Sequence, residues 1–412
     1  MNILYINTTD GEGGATRLAR NIKKGVEESG HKTSMFVKIK YSNDPTVFLI
    51  KKENKFFKKL SSFIGKDLNS VIYNKIHDYL SNDIEFFNND NLLYSQELKE
   101  ADIVHCHNLH NNYFNLKLLE KISKIKPVIW SLHDMWAFTP HEAWIIKDNN
   151  GVEKFNVQVK PSLYINNREY LFKKKKKIYN NSRLNIVATS GWFMDELKNS
   201  ILKKQPMHLI YNGIDENIFK PTDKILARKK LNLPPKKIIT FMANAGRLNR
   251  QKGWPYALKV IEHYSNNKNV LFLCLGGNKK DSNLSSENIR YIEYEKDESI
   301  FSLYYSASDI FLNPSSAEAF CLVIAQAMAC GTPIVTFPVG IVNEAIIHKT
   351  SGYIAKYQDT EDLIKGVDYI LNLNEQEIKK MGEISRKKVI ENFTFKKMIE
   401  NYLKLYVKLL NK

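Results

Sequence analysis

Residues 310–333 read Ile-Phe-Leu-Asn-Pro-Ser-Ser-Ala-Glu-Ala-Phe-Cys-Leu-Val-Ile-Ala-Gln-Ala-Met-Ala-Cys-Gly-Thr-Pro, and Ile334-Val335-Thr336-Phe337 follow. Ile310 to Leu312 is a short apolar run of strand type, and a polar turn interrupts it. A helix is predicted from about Cys321, stopped by Gly331 and Pro333, before the next strand at 334–337. Strand, turn, helix and strand in this order form the crossover unit of a parallel sheet, so the fold class is α/β.

The same alternation runs outward in both directions. Upstream lie strand runs at Val270 to Leu275 and Ile238 to Ala243. At the start of the chain, Met1 to Asn7 is β-rich and ends in a glycine turn (Gly11, Gly13, Gly14), followed by a helical pattern with Leu18, Ile22 and Val26 four apart. Gly30-His31 breaks that helix, and Thr33 to Val37 is the next strand. Ala101 to His105 and Pro127 to His133 flank a helical segment with Leu116, Leu119 and Ile122. Asn185 to Ser190 and Met207 to Tyr211 complete the first half. Asn212-Gly213-Ile214-Asp215 and the stretch punctuated by Pro221, Pro234 and Pro235 read as a linker. The expectation is two Rossmann-like domains, residues 1–212 and 213–394, with a ligand cleft between them. Residues 395–412 carry Met398, Leu403, Tyr406, Leu409 and Leu410 among lysines and should form an amphipathic helix that packs back on the first domain.

Composition excludes several classes. Of 412 residues, 43% are hydrophobic and 25% charged, which is ordinary for a folded chain and outside the disordered range. The 61 basic and 44 acidic residues give a net charge of +17, so nucleic acid, anionic lipid headgroups and phosphorylated small molecules are the partner classes to weigh. Cys106, Cys274, Cys321 and Cys330 are scattered, with no CxxC pair and no zinc spacing, which fits a reducing cytoplasm. No signal-peptide pattern opens the chain, and no run nears the roughly 18 apolar residues of a membrane span. The expected setting is cytoplasmic.

Chemistry concentrates in two blocks. Gly246-Arg247-Leu248-Asn249-Arg250-Gln251-Lys252-Gly253 directly follows a predicted strand, where a parallel sheet presents its ligand. Arg247 and Lys252, five apart across a glycine-bounded loop, suit a diphosphate whose charge grows as a bond breaks; an exposed basic loop fits as well. In residues 310–333, free N–H groups at the helix start, near Phe320, Cys321 and Leu322, can hold a phosphate. Glu318 stands just before that helix, and Gln326 lies along it.

Taken together, the Gly13-Gly14 turn with Gly30-His31, Asp102-Ile103-Val104-His105, Leu132-His133-Asp134-Met135-Trp136, Asn212-Gly213-Ile214-Asp215, residues 246–253, Ala307-Ser308-Asp309, the Glu318 block and Val339-Gly340 leading to Glu344 resemble the retaining glycosyltransferases of family 4, which have the GT-B fold. The stretch from Leu132 to Thr139 looks most like members that build bacterial surface polysaccharides. The resemblance implies that Arg247 and Lys252 neutralise a leaving nucleoside diphosphate, that Glu318 hydrogen-bonds the transferred sugar, and that His133 lies near that sugar. It implies that Gly13, Gly14, Gly246, Phe320, Cys321, Leu322 and Gln326 line the donor site. Neither metal nor other cofactor is expected, because cations and a helix N-terminus do the charge-stabilising work. The expected partners are a nucleotide-sugar donor, with UDP or GDP as base carrier, and a glycan or lipid-linked acceptor. Asp134, Trp136 and His105 are acceptor-contact candidates.

Three positions depart from the family pattern. Gln326 replaces the second acid of the Glu-x7-Glu pair, Ala319 and Cys321 stand where glycine is common, and Ile341 replaces a second glycine after Gly340. A sugar phosphorylase of the same fold and a non-catalytic nucleotide-sugar-binding subunit are the alternatives these departures leave open. A nicotinamide oxidoreductase fits poorly, because Thr16 stands where a third spaced glycine belongs and Lys38 where an acid should meet ribose. A nucleic-acid role fits poorly too, since no aromatic-basic recognition motif accompanies the charge.

Two lysine-rich segments remain. Lys51, Lys52, Lys55, Lys58 and Lys59 alternate with Phe56, Phe57, Leu60, Phe63 and Ile64, and Lys173 to Lys177 is an unbroken run. Either a solvated face or peripheral attachment to an anionic membrane explains them. His107 and His110 read as polar rim residues, with ligand or acceptor contact as the alternative, and Trp136 and Trp144 as sugar-stacking rings or core.

Overall fold

The computed structural model describes residues 1–11, 13–50, 82–85, 89–148, 150–158, 165–242, 250–276, 288–293, 295 and 297–411. Gly246, Arg247 and the lysine-rich segment from Lys51 to Ile64 lie outside the described residues.

The first sheet contains β1 (Asn2–Thr9), β2 (Lys32–Ile39), β3 (Val47–Leu49), β4 (Ile103–Cys106), β5 (Val128–Ser131), β8 (Leu184–Ala188) and β9 (Met207–Leu209). They are ordered β3-β2-β1-β4-β5-β8-β9, and every pairing is parallel. An antiparallel hairpin, β6 (Glu142–Lys147) with β7 (Glu153–Gln158), stands apart from that sheet. The second sheet contains β10 (Lys237–Met242), β11 (Val270–Leu275), β12 (Ile289–Ile292), β13 (Ile310–Asn313), β14 (Ile334–Thr336) and β15 (Tyr353–Ile354), ordered β12-β11-β10-β13-β14-β15 and parallel throughout. Both sheets are wound outward from a switch point, between β1 and β4 and between β10 and β13, which is where such sheets bind ligands.

The alternation in β1 shows how the first sheet is covered on both faces. Leu4 and Ile6 join a core with Val104, Trp130 and Leu171, whereas Ile3 and Tyr5 join Leu18, Ile22 and Val26 of the helix Gly14–Glu28. That second face is completed by the last helix, Phe395–Leu410, capped at its start by Thr394. Its buried positions are Met398, Ile399, Tyr402, Leu405 and Tyr406, at helical spacing. Leu403 and Leu409 are only partly buried and Leu410 is 39% exposed, so the buried face shares Met398 and Tyr406 with the one expected and is turned slightly from it.

The chain passes between the two sheets twice, side by side. Ile214 bridges Thr394, its N–H donating to Phe393 O at 2.9 Å and its carbonyl accepting from Phe395 N at 3.0 Å. The stretch read as linker holds a short helix, Lys224–Lys230, because Asp223 accepts from Leu226 N at 2.8 Å and caps it.

The lysine run is not uniformly solvated. On the helix Arg168–Asn180, Lys175 is fully buried, donates to Trp136 O at 2.6 Å and Thr139 O at 3.0 Å, and lies 3.8 Å from the Trp136 ring centre. Lys174 pairs with Glu85 at 2.9 Å. Helical spacing turns residue 175 inward with Leu171 and Ile178, so five consecutive lysines do not make one basic face. No helix among the described residues is long and apolar enough to cross a membrane.

Candidate functional site

The switch points of the two sheets face one cleft of about 420 Å³. Gly13, Gly14 and His133 line it from the first sheet, and Lys252, Glu318, Phe320, Cys321, Leu322 and Gln326 from the second. These residues, far apart in sequence, meet because each follows the carboxyl end of a parallel strand or lies on the helix that comes next. A larger hollow of about 860 Å³ lies beside Arg20 and Tyr41. Its Lys23 is committed to Glu27 and Asp44, and no candidate residue borders it, so the cleft is the candidate site.

Glu318 and Lys252 form its centre. The lysine Nζ donates to Glu318 Oε1 at 2.6 Å, and Glu318 is 7% exposed. Burial pushes the Lys252 ammonium toward neutrality, but the adjacent Glu318 carboxylate outweighs it and holds the group charged. The turn carrying Glu318 is pinned from several sides. Gln251 Nε2 donates to Ala317 O, Ser316 N to Gln251 O, and Ile341 N to Phe320 O. From the first domain, the hydroxyls of Thr189 and Ser190 both donate to Ala319 O. Two glycines make the close approaches. A Cβ on Gly253 (φ 75°) would come within 1.7 Å of Pro314 O, and one on Gly340 (φ 61°) within 2.4 Å of Phe320 O.

The helix Leu322–Ala329 opens on this turn with Cys321 as its N-cap, at φ 79° and ψ 69°. Its first N–H groups have no partner within the helix and give the cleft a partial positive charge. Gln326 Oε1 accepts from Tyr305 Oη at 3.2 Å, which leaves its amide N–H groups as the donors available to a ligand. Arg17 and Glu298 form an ion pair joining the two walls of the cleft. They were not among the sequence candidates, and neither were Tyr305, Thr189 and Ser190. Each acts through tertiary contact, and no local pattern marks it.

The histidines and tryptophans divide differently from expectation. His105 is fully buried, its Nδ1 2.8 Å from Tyr406 Oη and its Nε2 2.8 Å from Ser131 Oγ, so it holds the last helix to the sheet and cannot touch an acceptor. Burial pushes it down to about 3. Trp136 is likewise buried, donating from Nε1 to Asp83 Oδ2 at 2.6 Å, and Trp144 is 8% exposed, so both are core. His107 is not a rim residue either: it is 1% exposed and lies 3.0 Å, Nδ1 to Nε2, from His133. Burial outweighs the pull of Asp134 and pushes His133 down to about 4, so it is neutral near pH 7. Asp134 Oδ2 lies 3.0 Å from His110 Nε2, a partner that overcomes burial and holds the carboxyl below its usual range. No cluster of three His, Cys, Asp or Glu side chains among the described residues is placed to hold a metal ion.

Two facing doubly wound domains with a charged cleft between them define the GT-B class. Residues 12–218, half of the chain, match the model of Glycosyltransferase Family 4, and residues 223–388 match that of the glycosyl transferases group 1. The chain belongs to this glycosyltransferase family. It is 26% identical over 230 residues to N-acetyl-alpha-D-glucosaminyl L-malate synthase of Bacillus anthracis, covering 54% of this chain and 58% of that one. It is 27% identical over 276 residues to D-inositol 3-phosphate glycosyltransferase of Corynebacterium urealyticum, covering 61% and 62%. The chain thus aligns with about three-fifths of the length of each relative. The structure of Anabaena Alr3699/HepE in complex with UDP superimposes with a TM-score of 0.67 over 99% of this chain and 100% of that one, at 14% identity, a likeness of fold.

Proposed function

We propose that this protein is a retaining glycosyltransferase that moves a sugar from a nucleoside-diphosphate donor, UDP- or GDP-linked, to a hydroxyl of a glycan or lipid-linked acceptor in the assembly of a bacterial surface polysaccharide. The observation that carries the proposal is the pair of half-buried Lys252 and buried Glu318 beside the start of the helix Leu322–Ala329 in the inter-domain cleft. A charged ammonium and free helix N–H groups suit a diphosphate, and a carboxylate beside them suits sugar hydroxyls. The relatives named above act, by their names, on malate and on inositol 3-phosphate, and one neighbour of the same fold was solved with UDP.

In this reading the acceptor oxygen bonds to the anomeric carbon on the face from which the diphosphate departs. The carbon–oxygen bond to the diphosphate breaks with its electron pair staying on the phosphate oxygen, which takes the acceptor proton. Lys252, with Arg247, stabilises the developing charge, so no metal is required. Glu318 and His133 hold the transferred sugar, Gly13 and Gly14 leave room for the diphosphate, and Gln326 donates to the ribose. The setting is the cytoplasm, with contact to the inner face of the membrane where the acceptor is lipid-linked.

The test is a thermal-shift screen with UDP, GDP, ADP, CMP and NAD, followed by donor hydrolysis and transfer assays. UDP or GDP should raise Tm, and Lys252→Ala should abolish transfer while the protein stays folded. Near-normal turnover in that variant, or a shift with NAD alone, would overturn the reading.

A further inference from the structure

His107 sits directly behind His133 and is fixed in place by its backbone. Its N–H donates to Ile6 O at 2.9 Å, and its carbonyl accepts from Trp130 Nε1 at 2.6 Å. Its ring is nearly coplanar with that of His133, with an interplanar angle of 7° and centroids 5.3 Å apart. At 3.0 Å, Nδ1 of His107 and Nε2 of His133 share one proton, and only one of the two can supply it.

The surroundings decide which. The His107 ring packs against His105, at 4.3 Å, and Tyr5, at 6.0 Å, and its Nε2 is buried with no hydrogen-bond partner among the described residues. If His107 accepted from His133, its own proton would sit on that Nε2 as an orphaned buried donor. If His107 donates, Nε2 is a bare lone pair, and orphaned buried N–H groups are the rarer and costlier case. We infer that His107 is a positioning residue that sets the tautomer of His133: Nδ1–H of His107 donates to Nε2 of His133, so His133 carries its proton on Nδ1 and offers the cleft a hydrogen-bond donor, not a base.

Both rings are held neutral by burial, which keeps the pair from collapsing into imidazolium and imidazole. The consequence for chemistry rests on the transferase reading. A donor His133 orients a sugar hydroxyl and takes no proton from the acceptor, which leaves that proton to the departing diphosphate.

The tautomer itself is measurable without turnover. In protein labelled with ring-15N histidine, long-range proton–nitrogen spectra separate Nδ1–H from Nε2–H rings, and His133→Gln assigns the resonance. The expected result is an Nδ1–H tautomer for both His107 and His133. An Nε2–H signal for His133 in the unaltered protein overturns the inference, whatever the enzyme transfers. In His107→Leu, no donor fixes His133 Nε2, so His133 should lose its single tautomer and show both forms, and kcat should fall about tenfold, the equivalent of one hydrogen bond, with donor KM little changed. His107→Asn, whose amide nitrogen can stand near the position of Nδ1, should restore most of kcat. Equal losses in the Leu and Asn variants, with an unchanged His133 tautomer, would mean that His107 only fills space. Absence of any transfer by the unaltered protein, with the tautomer as expected, would instead count against the transferase reading alone.

Discussion

Cys321 holds a backbone conformation that side chains avoid, φ 79° and ψ 69°, at the point where the helix of the cleft begins. The left-handed region costs a non-glycine residue roughly 1 kcal/mol. The strain survives because the turn is over-determined by Gln251, Ile341, Thr189 and Ser190. This reverses an ordinary ranking. Elsewhere glycine is less stable than alanine by about 0.5–1 kcal/mol, but here Cys321→Gly should be at least as stable as Cys321→Ala. Urea midpoints of the two variants decide it, and a more stable alanine variant would show that the turn is not strained. At the same scale, Lys252 was legible from its charge and its place after a strand, whereas Glu318, Gln326 and His133 were legible only through the family resemblance; all four line the cleft. The roles of His105 and His107 were not, because what separates a tether from a site neighbour is which ring lies across the sheet.

Along single elements, periodicity decided what could be read. β1, β10, β11 and β13 are continuous apolar runs buried on both faces, and their positions followed from composition to within a residue or two. The β6–β7 hairpin went unnoticed although its signal was present. Asn150-Gly151 sits between alternating apolar runs, Gly151 stands at φ 80°, and Asp148 Oδ1 accepts from Asn150 N and Val152 N at 2.9 Å. The helix Arg168–Asn180 shows the opposite failure, where five lysines drew attention to charge and hid the burial of one. Lys175 is pushed down to about 8, mainly by burial, with Asp83 opposing. Removing its ammonium leaves the Trp136 and Thr139 carbonyls unsatisfied and Asp83 less compensated. Lys175→Ala should therefore cost about 3 kcal/mol, whereas Lys176→Ala, on the exposed face of the same helix, should not move the melting curve. Equal melting temperatures for the two variants would mean that the run is a plain solvated face.

At the level of the whole molecule, the two domains are joined by paired chain crossings at residues 213–214 and 393–395 and by contacts across the cleft. One of these comes from Glu344, whose Oε1 accepts from Gly191 N, the first residue of the helix Gly191–Lys198 in the other domain. A carboxylate at a helix N-terminus is favoured by the helix dipole, and the hydroxyls of Thr189 and Ser190 reach Ala319 O a few residues away. The domains thus meet on the turn that carries Glu318, so the relative position of the domains and the shape of the cleft are the same degree of freedom. Glu344 was legible as part of a motif, but its partner on another sheet was not. Burial raises the Glu344 carboxyl, yet the bond to Gly191 uses an oxygen that accepts in either protonation state, so the contact should persist below neutral pH. Glu344→Ala removes the acceptor and leaves the Gly191 N–H unpaired, a loss of about 1.5–3 kcal/mol from the contact. Because that energy separates joined from parted domains, it should appear as a larger radius of gyration by X-ray scattering without nucleotide. In transfer assays it should appear as a donor KM raised about tenfold with kcat little changed, while saturating nucleotide restores the compact form. Glu344→Gln keeps an acceptor and should lie close to the unaltered protein. A Glu344→Ala variant with unchanged scattering and unchanged KM would mean that the crossings at 213–214 and 393–395 alone fix the domains.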